Sequence, residues 1–120
     1  MEERQIAEAP WMMYKNGYYY LFYSSGWFLE AKYHMRVARG KKATGPFVKR
    51  NKPILSTDWA RYSQVSSCSD HGKEVTGNIK GENCSFLGPG HGSVIEHDGV
   101  WWMLYHSWLW GSLHDYNSGR

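Results

Sequence analysis

A chain of 120 residues with 42% hydrophobic and 21% charged residues, and no block of like charge, is built to fold, which excludes disordered and fibrous classes. The net charge of +3 selects no partner, and no apolar run reaches the roughly 20 residues of a membrane span, residues 11–25 being broken by Lys15 and Asn16. The unusual figure is an aromatic share of 17%, concentrated in residues 11–28 and 101–110.

The first predicted element is a β-hairpin. Pro10-Trp11-Met12-Met13-Tyr14-Lys15 leads into Asn16-Gly17, and Tyr18-Tyr19-Tyr20-Leu21-Phe22-Tyr23-Ser24-Ser25 follows. Asn-Gly between β-prone runs predicts a type I′ turn, because both central residues need positive φ. Next, His34-Met35-Arg36-Val37-Ala38 alternates as a half-buried strand should. Gly45-Pro46 marks a turn, and Phe47-Val48 opens a short edge strand rich in Lys and Arg. Four strands in meander order over residues 9–50 match one blade of a β-propeller.

Residues 53–90 form a long, polar, Gly-rich connection, and the first hairpin then returns. Gly92-Ser93-Val94-Ile95-Glu96-His97-Asp98-Gly99 precedes Val100-Trp101-Trp102-Met103-Leu104-Tyr105-His106-Ser107. Placing Gly17 on Gly99 pairs Asn16 with Asp98, Leu21 with Met103, Phe22 with Leu104, Tyr23 with Tyr105 and Ser25 with Ser107. The second strand of each hairpin is a nearly unbroken apolar and aromatic run, the pattern of a strand buried on both faces. The expected division is a blade at 6–52, a connection at 53–90 and the next blade at 91–120. Such a chain is all-β and a partial propeller, since a ring needs at least about four blades, each packed on its neighbours. Its aromatic blade faces should favour association.

The Lys and Arg residues gather in residues 32–52, interleaved with aromatics. No motif of a nucleic-acid module accompanies them, and charged strand edges account for them, so neither a nucleic-acid nor a membrane partner is expected. Cys68 and Cys84 fit neither a zinc nor a CxxC redox pattern; they are read as one disulfide or as two buried thiols. Asn83-Cys84-Ser85 is a glycosylation sequon, and Met1-Glu2-Glu3-Arg4 is no secretory signal.

In the repeat, Glu8 and Ala9 fall opposite Gly90 and His91, each pair just ahead of the first strand of a blade. In a propeller those strands line the central channel, so Glu8 and His91 should face one axis. A carboxyl flanked by Pro10 and Trp11 would be partly desolvated, which suits a general acid. A solvated residue before a strand, and a hydrogen-bonded turn histidine within Gly88-Pro89-Gly90-His91-Gly92, are the structural alternatives.

Five words stand in order: Glu8-Ala9-Pro10-Trp11, the run from Lys15 to Ser24, Gly45-Pro46-Phe47, Gly88-Pro89-Gly90-His91, and Trp102-Met103-Leu104-Tyr105-His106. The series resembles glycoside hydrolase family 43, the five-bladed β-propeller arabinanases, arabinofuranosidases and xylosidases. The resemblance implies an inverting glycosidase acting on arabinan- or xylan-type polysaccharide, with Glu8 as general acid. It implies that His91 helps hold calcium or a water network, and that Arg120, in Gly119-Arg120, reaches the substrate pocket. The family's base Asp and a further Asp that tunes the acid lie in blades that precede the Glu. Asp58, Asp70, Asp98 and Asp115 all follow Glu8 and match none of those words. The isolated chain is therefore expected to be inactive, with its missing blades in a longer, secreted parent chain. Residues 33–47 look most like the arabinanase branch. Where the chain turns after the first hairpin, Trp27 could stack on a sugar face and Ser25 could bond a hydroxyl. His106 is expected to be buried and bonded. The rival reading is a non-catalytic carbohydrate-binding propeller, which would have no use for a general acid at Glu8.

Overall fold

The computed structural model describes residues 6–30, 32–57 and 86–109. Those residues form six strands and two antiparallel sheets. The first sheet runs β1 (Ala7–Lys15), β2 (Tyr18–Ser25), β3 (His34–Gly40), β4 (Val48–Lys49) in that spatial order; the second pairs β5 (Phe86–His97) with β6 (Val100–Leu109). β5 begins at Phe86, inside the stretch expected to be connection.

Both hairpins turn as expected. Asn16 and Gly17 have φ of 50° and 80°, and Asp98 and Gly99 have 50° and 75°, the double positive-φ pattern of a type I′ turn. The repeat extends to the register. Trp11 faces Phe22 and Met12 faces Leu21 in the first hairpin, and at the equivalent positions Ser93 faces Leu104 and Val94 faces Met103.

It extends also to an irregularity. Between the Glu8–Ser24 and Trp11–Phe22 pairs, Ala9 and Pro10 oppose Tyr23 alone; between Gly90–His106 and Ser93–Leu104, His91 and Gly92 oppose Tyr105 alone. Each bulge opens with a left-handed residue, Ala9 at φ 51° and His91 at φ 52°.

The sheets pack face to face. Phe22, Met35 and Val94 form the buried centre, bordered by Met13, Tyr20, Val37, Trp101 and Met103, with Ile54 and Leu55 closing one side. Trp101 meets Tyr20 and Phe22 edge-on at 5.7 and 6.3 Å, the geometry that sets a ring's positive edge against its neighbour's negative face. Trp11 Nε1 donates to the Val94 carbonyl at 2.7 Å, and Lys15 pairs with Glu96 at 2.9 Å.

The glycine word inside β5 exists for this packing. A Cβ on Gly90 would overlap the Tyr33 ring, and one on Gly92 would stand 2.5 Å from Met35 Sδ. Alternate glycines on one strand thus admit two bulky side chains of β3 and its approach.

The expectation of burial on both faces is corrected for β6, whereas no residue of β2 is exposed. On β6, Trp102 and Leu104 are 56% and 58% exposed, because the described chain covers one face of that sheet only.

Candidate active site

Glu8 owes its direction to the bulge. Without the extra residue it would share a face with Met12; with it, Glu8 pairs with Ser24 and joins the face that meets the second sheet. Ser24 is fully buried beside it, and Tyr33, just before β3, is fully buried opposite the bulge of β5.

These side chains form a hydrogen-bonded line. The His91 backbone N–H donates to Ser24 Oγ at 2.7 Å, and the Ser24 hydroxyl bonds the Tyr33 oxygen. The Tyr33 hydroxyl donates to Glu8 Oε1 at 2.6 Å. The His106 ring lies parallel to Tyr33, centroids 6.0 Å apart, and the His91 ring is 5.8 Å from His106.

The electrostatics follow from the burial. Burial, and then the Glu8 hydrogen bond, push the Tyr33 hydroxyl up to about 12, against a smaller opposing effect of Ser24. Tyr33 is therefore a donor at any physiological pH and occupies one carboxylate oxygen of Glu8, Oε1. Burial and then the neighbouring His91 hold His106 below the ordinary histidine range, while Glu8 pulls the other way. At neutral pH His106 is an uncharged imidazole.

Of the residues read from the sequence, Glu8 and His91 come together, one at each bulge. His91 sits in strand β5 with its side chain exposed, so it is not a turn histidine. His106 is exposed and stacked on Tyr33, which corrects the expectation of a buried, bonded ring: its cross-strand partner is Gly90, which has no side chain to cover it. Ser25 pairs with Ala7 and lies, by strand alternation, on the opposite face of β2 from Ser24; the serine in the cluster is Ser24. Trp27 and Phe28 are 40% and 39% exposed and 5.2 Å apart in the β2–β3 loop, beyond Gly26, which bonds the Ile6 carbonyl at the Glu8 end of the sheet. Arg120, Asp58, Asp70, Asp115, Cys68 and Cys84 lie outside the described residues. Tyr33 and Ser24 were missed; the alternate glycines 88, 90 and 92 were the available sign that something large packs there.

Calcium takes about six to eight oxygen ligands. Among the described residues no three His, Cys, Asp or Glu side chains gather as a metal group, and the ring next to His91 is another imidazole. The described residues alone do not make a calcium site. Of the other described carboxylates, Glu96 is paired with Lys15 at the far end of β5, Asp98 is in its turn, and Glu30 is an exposed residue of the β2–β3 loop whose carbonyl accepts from the Tyr33 N–H.

The sequence model described as Glycosyl hydrolases family 43 matches residues 1–119. Among solved structures, a thermostable family-43 glycoside hydrolase is 25% identical over 86% of this chain and 27% of its own, with a TM-score of 0.61. An endo-1,4-beta-xylanase from Bacteroides thetaiotaomicron is 29% identical over 85% and 28%, with a TM-score of 0.60. An alpha-L-arabinanase from Cellvibrio cellulosa, complexed with arabinohexaose, is 27% identical over 86% and 28%, with a TM-score of 0.53. The chain thus spans between a quarter and a third of the length of these proteins, as a partial propeller.

Proposed function

The chain belongs to glycosyl hydrolases family 43, and from that premise we propose that it carries the acid half of an inverting glycosidase, with Glu8 as the general acid. The substrate is an arabinan- or xylan-type polysaccharide, with the arabinanase branch favoured by residues 33–47, and such a substrate suits a secreted parent protein.

One observation supports this reading above the others. Glu8 is the carboxylate that a bulge turns inward, and a buried tyrosine that stays protonated holds its Oε1. With that oxygen fixed as an acceptor, the proton for the leaving glycosidic oxygen resides on Oε2. Inversion also needs a base carboxylate roughly 6.5–9.5 Å away, to activate water on the opposite face of the sugar. In this proposal, blades beyond these 120 residues supply the base, and they complete the channel that positions the sugar. Trp27 and Ser25 are kept as proposed sugar contacts, His91 as an organiser of the water or metal network at the channel, and Arg120 as a pocket residue.

The test is an assay of the purified 120-residue chain on linear arabinan, xylan and aryl arabinofuranosides. No turnover is expected. Turnover that disappears in Glu8→Ala would overturn the claim that the base lies elsewhere.

A further inference from the structure

Three hydrogen-bond donors stand in series between the two bulges, and proton counts give their order. The bulge takes His91 out of the β5–β6 ladder, and its N–H turns across the seam to Ser24 Oγ at 2.7 Å. An amide N–H only donates, so Ser24 Oγ accepts there, and its one proton is left for the Tyr33 oxygen. Ser24 opposes the rise of the Tyr33 hydroxyl, as a donor to that oxygen does. Tyr33 in turn directs its one proton to Glu8 Oε1 at 2.6 Å. Ser24 and Tyr33 have no exposed surface, so water stands in for neither donor.

We infer that Ser24 and Tyr33 are positioning residues for the Glu8 acid, a one-way relay that starts at the His91 amide and ends on Oε1. The inference rests on Glu8 being the general acid and adds how that acid is held and driven. All three hydrogen bonds point the same way, and bonds in such a series polarise one another in a low-dielectric interior. The relay keeps Oε1 an acceptor, so the proton that Glu8 carries sits on Oε2. When the glycosidic C–O bond breaks, its electron pair goes to the leaving oxygen and the Oε2 proton follows. Glu8 is then a carboxylate, and a hydrogen bond to a charged oxygen is about twice as strong as one to a neutral oxygen. The relay therefore tightens as the transition state develops, which lowers the barrier and leaves sugar binding unchanged. Its head lies on β5 and its tail on β1, so the acid is set only where the two sheets are docked.

The test uses a chain that carries the further blades, with Tyr33→Phe, Ser24→Ala and Glu8→Gln made singly and Tyr33→Phe combined with Glu8→Gln. Tyr33→Phe should lower kcat on arabinan about tenfold to a hundredfold, the kinetic equivalent of one hydrogen bond to a charged group, with KM little changed. Ser24→Ala, which leaves Tyr33 and Glu8 in place, should lower it in the same way by a smaller factor. Both should have little effect on a dinitrophenyl arabinofuranoside, whose leaving group needs no proton. With Glu8→Gln already present, Tyr33→Phe should cause no further loss on arabinan, because no acid remains to be positioned. A merely structural role would lower turnover of both substrates alike and add to the loss from Glu8→Gln, and that result would overturn the inference. So would a Ser24→Ala variant as active on arabinan as wild type. Undiminished turnover of arabinan by Glu8→Gln would instead sink the acid assignment on which the relay rests.

Discussion

The Tyr33 hydroxyl donates to Glu8 Oε1 at 2.6 Å from a ring with no exposed surface. Tyr33 lies just before β3 and Glu8 near the start of β1, and Gly88 and Gly90 of β5 pack against the Tyr33 side chain. A hydrogen bond to a carboxylate is worth more than a neutral one, and Tyr33 has no water with which to replace it. Tyr33→Phe should therefore cost about 1.5–3 kcal/mol in urea denaturation. Tyr14→Phe, on a largely exposed ring, should stay within about 0.5 kcal/mol of wild type.

Tyr33 should titrate late. With its hydroxyl at about 12 in the fold, against an ordinary value of 10.0, ultraviolet titration should show a tyrosinate component near pH 12 that is absent from Tyr33→Phe. The sign for stability follows. Between the two values the unfolded chain has lost the proton and the folded chain keeps it, so the contribution of Tyr33 is fully present below pH 10.0 and is lost as pH rises toward 12. Wild type should lose its advantage over Tyr33→Phe across that window. A Tyr33 that ionises with the exposed tyrosines would contradict the buried geometry.

His106 should report on its two charged neighbours. Burial lowers its affinity for a proton first, the His91 charge second, and Glu8 raises it. In a ring-proton NMR titration, His91→Ala should move the His106 midpoint up toward 6.5, and Glu8→Gln should move it further down. Because its folded value lies below the ordinary one, the contribution of His106 to stability is fully present above 6.5 and is lost as pH falls from there through the lowered folded value.

Gly90→Ala should damage the site through Tyr33. The added methyl meets the ring itself, not the end of a flexible chain. Overpacking of this kind costs about 1–3 kcal/mol and should displace Tyr33 from Glu8, so the late tyrosine titration should move down together with the denaturation midpoint.

Much of this frame was legible in residue order. Asn16-Gly17 and Asp98-Gly99 announced two hairpins because few dipeptides accept two positive φ angles, and the match between the runs after them carried the register. Glu8 and His91 could be placed as a pair because the repeat puts them ahead of equivalent strands. The serine could not be placed: choosing Ser24 over Ser25 requires knowing that Ala9 adds a residue to one strand, and an alanine at φ 51° gives no compositional sign of it. Tyr33 was hidden for another reason. It precedes its strand, and its burial is set by glycines more than 50 positions away in sequence (Gly88, Gly90). His106 was misjudged because aromatic surroundings in sequence suggested cover on both sides, and the second sheet has cover on one.

The central claim is that Glu8 protonates a leaving group. It is tested most directly in a chain that carries the further blades, its own or those of a relative, by comparing Glu8→Gln with wild type on two substrates. Arabinan has a poor leaving group and needs the proton; a dinitrophenyl arabinofuranoside does not. The account predicts a loss of about 10²–10⁴ in kcat/KM on arabinan and little change on the activated glycoside. Equal losses on both substrates, or none on arabinan, would contradict it.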